Sequence, residues 1–475
     1  MHTKLAKPLK SLALLLSLSF LSGAATSTTK KHAVRKGAGK KKSPAVHAKA
    51  GATTRSATYA RTTKRKASSR HSGVRAHYGA PVVFRQAALR EVTSDMNAPS
   101  ESFVNARALV PFFEQLYRAG QDKTAVHILQ YGDSHTASDD WANTMRQSFQ
   151  SRFGSGGPGF ALAGHPYRGY RRFDFSGGNS SGWVTDGTVG HLSDGRYGLG
   201  GVSLTASSAG ETVSAEADGD ILKLCYLQQP GGGSMEIEED GGVIGTVSTD
   251  GDLSAGFFTY SPQPGSHRYT VRTTSSLPVR LFGWISERNA GVTYETLGIN
   301  GAQASMLADW DENILEAQIA ERDPALILMA YGTNEALSPR WDAAEYRKAL
   351  LTVVARFRKA APAATIALIG PPDCFLRTRR GLVPFPHMEE VIRVEKQVAR
   401  ESNCAFWDWR ERMGGPGSKK LWVEAGLSQG DYVHLTTAGY QMLGNTLFSD
   451  MMDEYQRFLA VRVAGLMTDR VAAGI

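Results

Sequence analysis

Cysteine is scarce in this chain: Cys225, Cys374 and Cys404 are the whole supply in 475 residues. An odd number at wide spacing excludes a disulfide framework as the basis of the fold. A Cys374–Cys404 bridge is one pairing left open, and a plain buried thiol beside an apolar strand is the other reading of each. No Cys and His stand at metal-ligand spacing, so no metal is expected. No cofactor is expected either, since the glycine-rich stretch Gly154-Ser-Gly-Gly-Pro-Gly lacks the Lys-Ser/Thr ending of a phosphate loop. The only strongly apolar run near the N-terminus, Leu12 to Leu21, is too short to cross a bilayer comfortably. Acidic residues are missing altogether from residues 1–80.

That last absence divides the chain. Lys4, Lys7 and Lys10 precede the apolar run and Ser22-Gly-Ala-Ala follows it, the layout of an export signal over residues 1–25. Residues 26–80 carry 15 Lys or Arg among Ala, Ser, Thr and Gly. Such a segment cannot build a core and is expected to be a disordered basic arm. The chain as a whole is +9, with 54 basic and 45 acidic residues, yet residues 81–475 hold 36 basic against 45 acidic and are about −9. The arm reads either as a solubilising spacer or as a tether to an anionic polymer or membrane surface. Nucleic acid is not expected as a partner, because the export signal argues against it. Nothing in the sequence sets an oligomeric state.

From residue 81 onward the length allows a large core and two domains. Ser100 and Glu101 are expected to open a helix running to about Ala119. Ala125 to Tyr131 reads as a strand buried on both faces, and residues 138–151 as a helix. From Tyr170 to about Glu287 short alternating segments rich in Gly, Ser, Thr and Val predict an antiparallel sandwich. Helix and strand then alternate: helix Ala302–Arg322, strand Pro324–Tyr331, helix Trp341–Arg358, strand Ala364–Gly370, helix Met388–Glu401, strand Cys404–Trp407 and helix Thr437–Phe458. The alternation argues an α/β class with a parallel sheet covered by helices on both faces. The expected domains are an α/β domain in two parts, 81–165 and 293–460, a β-rich insert at 166–292, and a tail at 461–475.

In such a sheet, active groups gather at the carboxyl ends of strands. Ser134 stands there, in Gly132-Asp-Ser. A serine hydroxyl needs an imidazole within hydrogen-bond reach, and the imidazole needs a partner for its other nitrogen. Asp431-Tyr-Val-His434, near the far end of the chain, offers His434 as that base and Asp431 as its orienter. On its own an Asp-x-x-His pair reads more simply as the cap of a helix. An acyl-transfer intermediate also needs donors for its oxyanion. The Ser134 N–H, the Gly301 amide in Gly298-Ile-Asn-Gly and the Asn334 side chain in Gly332-Thr-Asn are the candidates. A helix-start glycine and a turn asparagine are the plain readings of the last two. Asp133 reads as support for the turn, and His135 as facing away or lining the cleft. Trp183, Tyr197, Trp284 and Tyr294 are either core aromatics or platforms for a sugar.

Gly132-Asp-Ser134, Gly301, Gly332-Thr-Asn334 and Asp431-x-x-His434 together resemble the blocks of the SGNH, or GDSL-type, serine hydrolases. Glu335 stands where Asp is usual, and His135 where Leu is common. The resemblance implies a three-layer flavodoxin-like fold, with Ser134 as nucleophile, His434 and Asp431 completing a triad, and Ser134, Gly301 and Asn334 forming the oxyanion hole. Gly-Asp-Ser-His, the β-rich insert, Gly-Ile-Asn-Gly-Ala and Tyr-Gly-Thr-Asn-Glu are most similar to the periplasmic peptidoglycan O-acetylesterases. In that family the insert resembles a carbohydrate-binding module and O-acetyl groups are removed from N-acetylmuramic acid. The implied substrate is O-acetylated peptidoglycan or a related cell-wall glycan. The alternatives are a secreted esterase or lipase on small acyl esters or other acetylated polysaccharides, and a wall-binding protein without activity.

Overall fold

The computed structural model describes residues 82–98, 102–187 and 194–472. The export signal (1–25) and the basic arm (26–80) lie outside the described residues.

The centre is a parallel sheet of five strands: β1 (Ala125–Gly132), β2 (Gly291–Gly298), β3 (Leu326–Ala330), β4 (Thr365–Ile369) and β5 (Ala405–Trp407), in the order β2-β1-β3-β4-β5. A two-residue strand, Phe103–Val104, pairs antiparallel with β5 at the edge. Alternation along each strand feeds two cores. Ile128, Leu326, Leu328, Ala367 and Trp407 face helices α2 (Val110–Asp122), α3 (Asp140–Phe153) and α7 (Thr437–Ala472). Leu129, Tyr131, Ile327, Met329, Leu368 and Phe406 face α4 (Glu312–Arg322), α5 (Ala343–Ala360) and α6 (Met388–Glu401). With helices on both faces, the strands can be apolar throughout.

Between α3 and β2 the chain builds two antiparallel sheets. One holds Ser176–Asn179, Thr212–Asp218, Ser234–Glu239, Gly242–Ser248 and Ser266–Thr273, and the other Val184–Gly187, Val202–Ala206, Ile221–Gln228, Ser254–Tyr260 and Val279–Glu287. Val213, Ala215, Ile237 and Val271 of the first meet Leu222, Leu224, Leu281 and Trp284 of the second in a core of their own. The opposite face of the second sheet, through Cys225, Leu227, Phe282 and Ile285, joins the apolar cluster of the central sheet. This makes an α/β core with central sheet and flanking helices, to which β-sheets are added.

Several expected boundaries differ. The β-rich region starts before 166, because Gly159–Leu162 already pairs with Val279–Glu287. It ends before 292, because Gly291–Gly298 is the second strand of the central sheet. That strand was hidden by its polar residues: Thr293 and Glu295 are buried beside Arg322, whose Nε donates to Glu295 Oε1 at 3.0 Å and whose Nη1 donates to Glu287 Oε2 at 2.7 Å. The helix expected from Ser100 begins only at Val110, after Asn105 turns left-handed at φ 57°, with Pro111 in its first turn. The helix expected at 302–322 is a 3₁₀ stretch, Ala304–Asp309, and then α4, capped by the Asp311 side chain. An unforeseen helix, α1, covers Val82–Asn97, and residues expected as a tail continue α7 to Ala472. Cys225, Cys374 and Cys404 are all free and buried, so no Cys374–Cys404 bridge forms.

Arg322, Glu295 and Glu287 therefore hold β2 against α4 and the returning sandwich strand with buried charge. Truncating Glu295 leaves the guanidinium without its main counter-charge, so Glu295→Ala should lower unfolding free energy by about 3–5 kcal/mol. Urea denaturation checks this, and a loss below about 1 kcal/mol would show that the ion pair does not hold the strand.

Candidate active site

Strands β1, β2 and β3 end abreast: Gly132 lies opposite Gly298 on one side and Ala330 on the other. Each chain segment then turns over the sheet edge, bringing three loops together. The first loop is the single helical turn Ser134–Ala137, capped by the Asp133 side chain, which accepts the His135 N–H at 2.9 Å. This N-terminal position leaves the Ser134 N–H without a helical carbonyl to bond. The turn packs so closely on β2 that a side chain at Gly298 would collide with the Ala137 amide.

The fourth contributor arrives from the far end of the chain. Ser134 Oγ and His434 Nε2 are 2.9 Å apart, and His434 Nδ1 lies 2.7 Å from Asp431 Oδ2. Asp431 Oδ1 also accepts the N–H groups of Val433 (2.9 Å) and His434 (3.1 Å). Burial alone would raise the Asp431 pKa, but the His434 ring and these amides hold it below the usual carboxylate range. Tyr432 adopts a left-handed φ of 62° to let one carboxylate reach all three donors. The backbone is further secured at its carbonyls. His434 O accepts from Gln429 N–H and Ser428 Oγ, both at 2.8 Å, and Val433 O accepts from the buried Lys419 Nζ at 2.8 Å. The hydroxyl, imidazole and carboxylate thus form one hydrogen-bonded line, with about a quarter of the His434 side chain and a third of Asp431 open to solvent.

The candidate oxyanion donors sit on the neighbouring loops. Gly301 is exposed with φ +74°, a conformation open to glycine and strained for other residues. Asn334 donates from Nδ2 to Ala302 O at 2.9 Å, so one amide hydrogen braces the Gly301 loop and the second remains. Glu335 does more than its sequence position suggested. Its Oε1 accepts the Ala304 N–H at 2.8 Å and its Oε2 the Gly332 N–H at 3.0 Å, so one buried carboxylate ties the second loop to the third. Thr333 hydrogen-bonds Asp133, tying the third loop to the first. A Glu reaches across where the shorter Asp has one carbon less, which is the signal the sequence offered.

The remaining residues fall on one side of the alternatives open for them. His135 is buried, its Nδ1 2.8 Å from Tyr440 Oη and its ring 5.3 Å from that of His434. Burial pulls its pKa well below the ordinary value, so it stays neutral beside His434. Tyr440 and Lys419 were not singled out from sequence, since each lies on a helix without a motif. Trp183, Tyr197, Trp284 and Tyr294 are all buried, Tyr294 within β2 itself, and none presents a ring to a sugar.

The GDSL-like Lipase/Acylhydrolase family matches residues 257–442. The match takes in Gly301, Asn334, Asp431 and His434 and leaves Ser134 outside. No curated protein matches the chain in sequence. Among solved structures, a peptidoglycan O-acetylesterase is similar over 73% of this chain and 96% of its own, at 25% identity and TM-score 0.63. A family two carbohydrate esterase from Cellvibrio japonicus (12% identity, 60% and 99% covered, TM-score 0.26) and an acetyl xylan esterase (17%, 33% and 80%, TM-score 0.28) are more distant.

Behind the three loops, burial is the main cause that raises Asp133 to about 6 and Glu335 to about 7 and lifts Glu395 well above the carboxylate range; the two glutamates are raised further by nearby acids. A carboxyl whose folded pKa exceeds its unfolded value binds protons more tightly when folded. Its stabilisation is complete below the unfolded pKa and is lost as pH rises through the folded one. For Glu335 that window runs from its ordinary value of 4.5 to about 7. Wild type should therefore lose stability relative to Glu335→Gln as pH rises through that window, as read by urea midpoints. A constant offset between the two proteins would contradict a raised Glu335.

Proposed function

We propose that the chain is a serine esterase of the GDSL/SGNH type and that it removes O-acetyl groups from N-acetylmuramic acid in peptidoglycan. The similarity to a peptidoglycan O-acetylesterase, over 73% of this chain and 96% of that one, supports this substrate. The observation that carries the chemistry is the line Ser134 Oγ–His434–Asp431, with steps of 2.9 and 2.7 Å.

In this reading Ser134 Oγ attacks the acetyl carbonyl carbon while His434 Nε2 takes its proton. Asp431 holds the Nδ1–H and offsets the positive ring. The carbonyl oxygen, now an oxyanion, is received by the N–H groups of Ser134 and Gly301 and the free amide hydrogen of Asn334. Collapse breaks the ester bond, the sugar oxygen leaves with the proton from His434, and the acetyl group stays on Ser134. Water then attacks that ester, giving its proton to His434; Ser134 Oγ recovers a proton and acetate departs. Three preset donors supply the electrostatic stabilisation, each worth about 3 kcal/mol in comparable sites.

The same reading assigns the core to the three-layer flavodoxin-like hydrolase fold, supported by the strand order 2-1-3-4-5. It assigns the sandwich to a carbohydrate-binding-module-like domain between the two parts of the hydrolase domain. It places the protein in the periplasm by way of its N-terminal signal, with the basic arm holding it to an anionic polymer or membrane surface.

Two experiments test it. Ser134→Ala should abolish hydrolysis of p-nitrophenyl acetate, and Asp431→Asn should lower kcat about 10⁴-fold with little change in melting temperature. Retained turnover in either would remove that residue from the mechanism. Acetate release from O-acetylated peptidoglycan should exceed release from acetylated xylan, and a preference for xylan would reject the substrate.

A further inference from the structure

Between β4 and α6 the chain leaves the sheet as a hairpin, Phe375–Thr378 against Gly381–Pro384, with Arg379 and Arg380 forming its tip. With Arg377 this puts three exposed arginines within four residues of a body that is otherwise acidic. The buried arginines of the fold are spent on carboxylates: Arg146 on Asp139, Arg172 on Asp174, Arg280 on Asp194, Arg322 on Glu295, Arg410 on Asp373 and Arg412 on Asp450. Arg377, Arg379 and Arg380 form no ion pair among the described residues.

The hairpin is also joined to the loop that carries the base. The Phe375 N–H donates to Tyr432 O at 3.1 Å, Arg377 Nη2 donates to Gly430 O at 2.9 Å, and the Arg377 guanidinium lies 5.3 Å from the centre of the Tyr432 ring. Tyr432 stands between Asp431 and His434. Lys420 adds its ammonium 4.9 Å from the Phe375 ring. An isolated two-stranded hairpin is marginal in water, and these contacts at its base account for its order while its tip stays free. The tip lies about 7 Å beyond Arg377 along the strand direction, on a hairpin whose base is bonded to the loop that carries His434.

We propose that this hairpin is a binding arm for carboxylates on the substrate polymer. It recognises a glycan whose acidic groups lie next to the acetylated sugar, and this rests on the reading of the cleft given above. Guanidinium forks pair two-to-two with carboxylates, and a neutral acetylated polysaccharide offers them nothing. Arg379 and Arg380 bind at a distance from the reacting bond. Their contribution belongs in KM for the polymer and weakens with salt.

The test compares wild type with the double variant Arg379→Ser, Arg380→Ser on O-acetylated peptidoglycan, acetylated xylan and p-nitrophenyl acetate. The expected result is that the ratio of kcat/KM on peptidoglycan to kcat/KM on p-nitrophenyl acetate falls about tenfold. The change should lie in KM, and the wild-type salt dependence should disappear with it. An equal fall on all three substrates would make the hairpin a mere brace for the catalytic loop and overturn the proposal, as would an unchanged ratio. Failure of wild type itself to release acetate from peptidoglycan would instead reject the substrate, and the binding arm with it.

Discussion

The parallel pairing of β1 with β2 is the constraint on which the site depends. The two strands are separated in sequence by the whole sandwich, yet they run in register from Ala125 opposite Gly291 to Gly132 opposite Gly298. A slip of one residue would turn Glu295 away from Arg322 and carry the loop bearing Gly301 out of line with Ser134. The sandwich returns the chain to the right place, because its strand Val279–Glu287 pairs with Gly159–Leu162 and so closes the excursion next to where it began. Its second sheet shares an apolar cluster with the central sheet. The β-rich region is thus part of what aligns the cleft, whatever else it binds.

The residues of the candidate site were legible because acyl transfer would demand particular groups at particular strand ends. Ser134, Gly301, Asn334, Asp431 and His434 stand out as residue types in local patterns that need no knowledge of packing. The parts that escaped are those whose meaning is set by a distant partner. Gly291-Val-Thr-Tyr-Glu-Thr-Leu-Gly does not read as a buried strand until Arg322 is known to neutralise Glu295. The hairpin at Phe375–Pro384 is hidden by its arginines, which no apolar alternation announces. The early helix boundary shifted because Asn105 adopts a left-handed turn, a conformation asparagine tolerates but does not require. The four aromatics suspected of meeting sugar are core, as burial of large rings favours.

Charge is laid out in two opposite ways around the cleft. Beneath it, Asp133, Glu335 and Glu395 are withdrawn from water and from one another's charge only by holding protons more tightly. Above it, Asp431 is kept ionised by three donors and faces the imidazole. The contrast follows from hydrogen-bond supply. Asp431 meets two amides and a ring nitrogen while partly solvated, whereas Glu395 is fully buried with Tyr346 donating to one oxygen and nothing to the other. Carboxylates of one chemical type thus serve one as an electrostatic partner and the others as bracing between loops.

This division bears on how the cleft keeps its geometry while remaining open. The loops that present Ser134, Gly301 and Asn334 are anchored at their roots by buried apolar residues such as Ile299, Ala302 and Ala336. Their alignment comes from amide bonds to Glu335 and Asp133, from the Asn334 bond to Ala302 O and from the close approach at Gly298. Such bonds contribute only about 1 kcal/mol each to net stability, but they are directional and leave few alternative arrangements. A site assembled from them can stay at the surface and still hold its donors in place. The requirement for preset donors and the requirement for an open cleft are met by the same buried acids.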